Sequence, residues 1–311
     1  MTALSTFLST PSDKPKLLVI YWPTACGKTA LTVELSKQYN WEVISADSRQ
    51  IYRGMNIGTG KITSEEMQGI SHHMLDIRDI TEWYSVAEYV PETKRIISEI
   101  HVRWKLPILS GGTGLFIDAM IGNFDLWRAE PDWEYRAELE TIRETEWEQK
   151  LWDMLAAIDP GYAAELDARN YRYVMRGLEV FRATGESKKS ENRLWEGEYD
   201  TFFLTPYDGN REALYEKINA RVKQMFRDGL VHEVQSLLGH YTVGSSTSEI
   251  LEKLPWLNAI GHREVIDFLL WIKMLPEAIE AVQTNSRHYA KRQLTWFRRY
   301  QMEKIDGFFG A

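Results

Sequence analysis

The sequence predicts an α/β protein: a P-loop, parallel-sheet core with helices on both faces, plus a helical insertion domain. Three observations carry this reading. Short apolar runs at Lys16–Tyr21, Val43–Ala46 and Leu106–Leu109 each end in a small polar loop, the pattern of buried parallel strands. Longer stretches with helical character separate them, as alternating βα units require. After Asn123 the strand-like runs stop, and the chain becomes charged and rich in tryptophan.

Each element follows from local chemistry. Residues 1–16 are Ser/Thr-rich but lack arginine and an apolar signal core, so they read as a flexible leader and not as a targeting segment. Lys16–Tyr21 is the first strand. Its loop delivers the chain into a helix from Lys28 to about Asn40. Ser85 is a candidate N-cap for a helix running to about Val102. Leu106–Leu109 ends in Ser110-Gly111-Gly112-Thr113-Gly114, and Phe202–Thr205 makes one more strand. The resulting division is a leader at 1–16, a first part of the core at 17–124, a helical insertion at 125–199 and a mostly helical second part of the core at 200–311.

Bulk properties narrow the function. With 311 residues, 44% hydrophobic and 26% charged, the chain can bury a full core. No apolar run reaches the roughly 18 residues that a membrane helix needs. Cys26 stands alone, which excludes a disulfide framework and makes a reducing cytoplasm the default expectation. The net charge of −8 argues against a generally basic nucleic-acid binder. Locally the sign reverses. Arg169–Arg193 holds seven cations against three anions, and Arg287–Arg299 holds five cations and no acid. Screening confines a charge's field to about 10 Å, so basic faces on an acidic protein can still take phosphates.

The chemistry begins at Trp22-Pro23-Thr24-Ala25-Cys26-Gly27-Lys28-Thr29. A loop of this kind points successive N–H groups and a helix N-terminus at one anion. Lys28 would meet phosphate oxygens and the Thr29 hydroxyl would bind Mg²⁺. A strand–turn–helix carrying these residues by chance is the plainer alternative. A P-loop ATPase also carries a strand ending in an aspartate that helps to hold the metal, whereas here the third strand ends in Ser-Gly-Gly-Thr. Asp47 ends a different strand. That suits a diphosphate leaving group with a carboxylate base beside it, and leaves a small-molecule kinase with bound ATP open. His72-His73 suggests a metal pair, but no third ligand has sensible spacing.

The block Asp47-Ser48-Arg49-Gln50-Ile51-Tyr52-Arg53-Gly54-Met55-Asn56-Ile57-Gly58-Thr59-Gly60-Lys61 closely resembles the signature of the tRNA dimethylallyltransferases, the bacterial isopentenyltransferases. Further matches follow in order: His72–Asp76, Gly111–Leu115, Arg176–Val180, Ile218–Val222, Ala259–Arg263 and Tyr289–Phe297. The resemblance implies transfer of a dimethylallyl group from dimethylallyl diphosphate to N6 of adenosine 37, next to the tRNA anticodon. It implies Asp47 as general base, with Lys28, Arg221 and Mg²⁺ stabilising the leaving diphosphate and Thr113 beside the substrate. It also implies tRNA contacts from Asp47, Ser48, Arg49, Gln50 and Thr113, from Arg172, Tyr173, Val174, Met175 and Arg176, and from Asn258, Ala259, Ile260, Gly261, His262 and Arg263. A monomer is expected. An adenylate isopentenyltransferase and a non-catalytic tRNA-binding relative are the alternatives. The insertion and the basic C-terminal third favour a macromolecular acceptor.

Tryptophan stands where turn-formers are usual. Trp22 replaces the first glycine of the phosphate loop, and Trp41, Trp104 and Trp271 follow helix ends. Tyr171 and Trp127 are similar cases. Glycine at such sites supplies positive φ without steric cost, and a bulky residue there costs about 1–3 kcal/mol. The expectation is an altered relative with weakened diphosphate binding.

Overall fold

The computed structural model describes residues 2–21, 23–122, 132–188, 197–207, 209–239, 245–298, 300 and 303–304. Its sheet contains β1 (Lys16–Tyr21), β2 (Glu42–Ala46), β3 (His72–His73), β4 (Pro107–Gly111), β5 (Asp200–Thr205) and β6 (Glu303–Lys304). All neighbours pair in parallel, in the order β3-β2-β4-β1-β5-β6. The four longer strands lie where the apolar runs predict them. β3 and β6, two residues each, are too short to leave a hydrophobic pattern.

Alternation along β1 places helices on both faces. Leu18 and Ile20 pack with Leu31 and Leu35 of the Lys28–Tyr39 helix. Tyr21 faces the other way, its ring centroid 4.0 Å from that of Phe297 at the end of the Leu275–Phe297 helix. The Val86–Val102 helix opens on Ser85, whose side chain accepts from the Glu88 N–H while Glu88 reaches back to the Ser85 N–H. This reciprocal cap satisfies two otherwise orphaned donors. From that helix, the Tyr89 hydroxyl donates to the Ser45 carbonyl of β2 at 2.9 Å. Among the described residues no helix is long and apolar enough to cross a membrane.

The flexible leader is overturned. Thr2–Ser9 is a helix. Leu4 is 3% exposed within the cluster that contains Leu18 and Leu31, and Phe7 stacks on Phe202 of β5 at 5.0 Å. Lys16 Nζ donates to the Phe7 carbonyl at 2.7 Å, tying the helix to the start of β1. We expect Leu4→Ala to lower the unfolding free energy by about 2–4 kcal/mol. Urea denaturation measures it, and a leader that did not pack would give no change.

Asp118–Gly197 forms a second compact unit, which begins earlier than residue 125. Its helices Trp133–Ile158 and Tyr171–Thr184 enclose Leu139, Leu151, Leu155, Val174, Met175 and Leu178. Gly177 allows the close approach: a Cβ there would lie 3.0 Å from both Leu155 and Tyr162 side chains. Arg136 grips the buried Glu179 carboxylate through Nε and Nη2, at 2.6 and 2.8 Å.

The tryptophan expectation divides. Trp104 (φ 58°) and Trp271 (φ 60°) do occupy left-handed positions. Trp41 does not. Asn40 takes the left-handed C-cap, φ 56°, and Trp41 is buried with its ring stacked on Tyr39. Asparagine tolerates this conformation better than most residues, so the turn is closed one position earlier. Tyr171 opens a helix without positive φ. Trp147, unremarked in the sequence, has φ 70° and ψ 166° inside the Trp133–Ile158 helix. Trp22 and Trp127 lie outside the described residues.

Candidate active site

Strand order builds the site. β4 lies between β1 and β2, and Tyr21, Gly111 and Ala46 are register partners across the three strands. Three loops therefore leave the carboxyl edge level with one another, where open α/β sheets bind ligands. Gly111 makes the approach possible, because a Cβ there would lie 2.0 Å from the Ala46 carbonyl oxygen. The Thr113 N–H then reaches back to that oxygen at 3.1 Å.

The phosphate loop turns through Ala25 (φ 65°) and Gly27 (φ 87°) into the Lys28–Tyr39 helix. Lys28 Nζ donates to the Pro23 carbonyl at 2.9 Å. The Thr24 N–H donates to Gln293 Oε1 at 3.2 Å, and Arg221 Nη1 donates to Thr24 Oγ1 at 3.0 Å. Burial lowers the pKa of Lys28, and the Arg221 charge pushes it the same way. Burial also lowers Arg221 and Arg49. Desolvated cations held close together favour an anion between them. Cys26 is buried, and burial pushes its thiol up, so it packs as an apolar side chain.

Asp47 follows β2. Its Oδ1 accepts the N–H groups of Arg49 at 2.9 Å and Gln50 at 3.4 Å, a local turn that fixes the carboxylate on its own loop. Thr113 Oγ1 accepts the Ser48 N–H at 3.0 Å, joining the glycine loop to the Asp47 block. Gln50 Nε2 donates to the Thr59 and Gly60 carbonyls at 3.3 and 3.4 Å.

Thr24, Ala25, Gly27, Lys28 and Thr29 line one cavity with Asp47, Ser48, Arg49, Gln50, Thr113 and Arg221. Its volume is about 1060 Å³, large enough for two reactants. Ile57, Ile62, Ile218, Val222 and Met225 give it an apolar wall. Asn258, Ala259 and Ile260 also line it. This joins residues separated by more than 200 positions.

A family model described as IPP transferase matches residues 50–300. The chain belongs to the IPP transferase family. It is 44% identical over 287 residues to a tRNA dimethylallyltransferase of Halalkalibacterium halodurans, covering 92% of this chain and 88% of the relative. It is 40% identical over 295 residues to one of Caldanaerobacter subterraneus, covering 93% and 90%. Among solved structures, a full-length tRNA isopentenylpyrophosphate transferase of Bacillus halodurans aligns with a TM-score of 0.64 at 43% identity, covering 94% of this chain and 90% of that one. A eukaryotic dimethylallyltransferase acting on tRNA gives a TM-score of 0.79 at 29% identity, covering 94% and 73%.

Within this member of the IPP transferase family, some expected RNA-contacting residues point inward. Val174 and Met175 are core residues of the second unit, because positions 174, 175 and 178 share the apolar stripe of one helix. Arg172 and Tyr173 are exposed there, and Arg176 lies 3.5 Å from Glu179. His262 is 0% exposed, packed against Gly58, so it cannot present an edge to RNA. Arg263 is exposed, and Gly261 is buried with φ 97°. His72 and His73 are held by the Ile70 carbonyl at 3.0 Å and Glu42 at 2.8 Å.

Two lining residues escaped the sequence assignment although they sit in the Tyr289–Phe297 match. Gln293 Nε2 donates to the Gly112 carbonyl at 2.8 Å, so the side chain bridges the phosphate and glycine loops. The Tyr289 hydroxyl donates to the same carbonyl at 3.2 Å. Burial, aided by the Asp47 charge, pushes its pKa up to about 12.

Proposed function

We propose that this chain transfers a dimethylallyl group from dimethylallyl diphosphate to N6 of adenosine 37, next to the anticodon of tRNA. The observation that carries the reading is the shared cavity: the Asp47 carboxylate and the Lys28 and Arg221 cations line it together. A generic small-molecule kinase has no reason to carry the Asp47–Lys61 block.

In the reaction the bond from the allylic carbon to the diphosphate oxygen breaks as the bond to N6 forms. Loop N–H groups, Lys28 and Arg221 stabilise charge developing on the leaving oxygens. Asp47 takes the proton that N6 releases. The adenine must leave its stack to enter the cavity, where Gln50 and Ser48 would meet its edge; both line the cavity, and Thr113 Oγ1 accepts the Ser48 N–H. The apolar wall suits a five-carbon allylic tail. The Thr29 hydroxyl is a hard oxygen donor lining this cavity, the chemistry Mg²⁺ prefers. Bound with the diphosphate, Mg²⁺ would neutralise leaving-group charge. Exposed Arg172 and Arg263 are suited to phosphate contact. One lone, buried Cys26 fits a reducing cytoplasm.

Incubation with labelled dimethylallyl diphosphate and Mg²⁺, offered either tRNA or AMP, tests the proposal. Label is expected in tRNA alone. Label in AMP alone supports an adenylate isopentenyltransferase, and tRNA binding with no transfer supports a non-catalytic relative. In the same assay Trp22→Gly is expected to lower the KM for the donor, because a ring leaves the loop that should wrap its phosphates. Equal donor KM and equal rates would remove the loop impairment.

A further inference from the structure

The segment Asn56–Gly60 lines the cavity, yet it has no regular secondary structure to hold it. It is held from behind. Glu233, on the Leu230–Leu238 helix, accepts the N–H groups of Asn56 and Ile57 at Oε2, at 2.9 and 2.6 Å, and of Gly58 at Oε1, at 3.0 Å. Three consecutive N–H groups on one carboxylate make an anion nest, and charge-assisted bonds are the stronger kind. His262 Nε2 lies 3.2 Å from Glu233 Oε1 but off the hydrogen-bonding line. The imidazole is packed against Gly58, where a Cβ would meet it at 2.3 Å. Burial alone would raise the Glu233 carboxyl, but contact with His262 and the Gly58 and Ile57 N–H groups holds it below the usual range. Neither Glu233 nor His262 lines the cavity.

We propose that Glu233 and His262 are positioning residues that clamp the 56–60 segment and thereby set Gln50 beside Asp47 for the acceptor. The link is direct: the Gln50 amide donates to the Thr59 and Gly60 carbonyls, and the Gln50 N–H donates to the Asp47 carboxylate. A displaced segment moves the acceptor wall that it lines. A misplacement near 1 Å can cost about 100-fold in rate.

This inference rests on the proposed transfer activity only for its kinetic readout; hydrogen exchange provides a second readout that does not. Glu233→Gln keeps the side chain's shape but aims an amide at N–H groups. It is expected to speed exchange in peptides covering 56–60 and 48–50, and to lower kcat/KM for tRNA by roughly 10–100-fold. Leu4→Ala, destabilised elsewhere, is the control and is expected to alter neither at a temperature where both variants are folded. Faster exchange at 56–58 alone, with kcat/KM unchanged, would overturn the positioning role. If the parent transfers nothing, the transfer reading fails, and unchanged exchange at 48–50 would overturn the clamp by itself. If Glu233→Gln does not fold, Glu233→Asp keeps the charge, withdraws it by one methylene, and is read in the same way.

A separate observation carries a second inference. Trp104, Trp147 and Trp271 have positive φ and are also the most exposed of the described tryptophans, at 96%, 76% and 87%. The Trp147 pair of angles falls in a region essentially reserved for glycine. Rings that bury little, on backbones that disfavour them, gain nothing from being tryptophan. Independent mutations would scatter over residue types, whereas these three sites and the glycine-type position 22 all hold the same residue. We infer that the protein made in its own organism carries glycine at positions 22, 104, 147 and 271, a single codon being read there as glycine. Peptide mass spectrometry on protein isolated from that organism tests this. Glycine masses are expected at all four positions, and tryptophan masses there would overturn it.

Discussion

Asp47→Asn is expected to lower kcat for transfer to tRNA by about 10²–10⁴-fold, the usual contribution of a placed general base. Binding of tRNA and of the donor should change little. Asparagine keeps the Oδ1 acceptor that receives the Arg49 and Gln50 N–H groups, so the loop retains its shape while losing the group that takes the N6 proton. Single-turnover transfer with both substrates saturating separates this from a binding defect. A loss below about tenfold would remove Asp47 from the base role and leave it as a charge partner of Lys28 and Arg221.

Trp104→Gly and Trp271→Gly together are expected to stabilise the core unit. Each relieves about 1–3 kcal/mol of left-handed strain, offset by about 0.4–1 kcal/mol because glycine loosens the unfolded chain. The net gain for the pair is about 1–4 kcal/mol. In a unit of this size each kcal/mol moves Tm by about 2–4 °C, so the double variant should melt roughly 2–15 °C higher by calorimetry. The exposure of both rings means that little packing is lost. Trp41→Gly provides the contrast: its buried ring stacks on Tyr39, so the same change there should lower Tm.

What the sequence reveals divides along the range of the interactions. β1, the Lys28–Tyr39 helix and the Ser85 cap are local, set by six to seventeen neighbouring residues, and they lie where the pattern puts them. The Thr2–Ser9 helix is different. Leu4, Phe7 and Leu8 have helical spacing, but its significance comes from the face of β1 and β5 on which they pack. Site residues follow the same rule. Asp47, Lys28, Thr113 and Arg221 are legible because the motif places them, and the cavity brings them together. A motif is a string, however, and its members alternate between cavity and core. His262 and Met175 are inside strings that also contain exposed arginines, and helical periodicity separates the two at 174–178. Glu233 leaves no local trace. Its function lies in N–H groups about 175 positions earlier, a relation that exists only after folding.

The position of β1 between β4 and β5 shapes the birth of the chain on the ribosome. Lys16 pairs with Asp200, so one edge of β1 has no partner until the whole second unit has been made. At about 5–20 residues per second that interval is roughly 10–40 s. Throughout it, an apolar strand offers a row of unsatisfied N–H and C=O groups. The Thr2–Ser9 segment is made before β1, and in the folded chain it carries Leu4, Phe7 and Leu8 to the neighbouring face. Its apolar side chains are at hand to cover the apolar side of this strand until β5 arrives to close the edge.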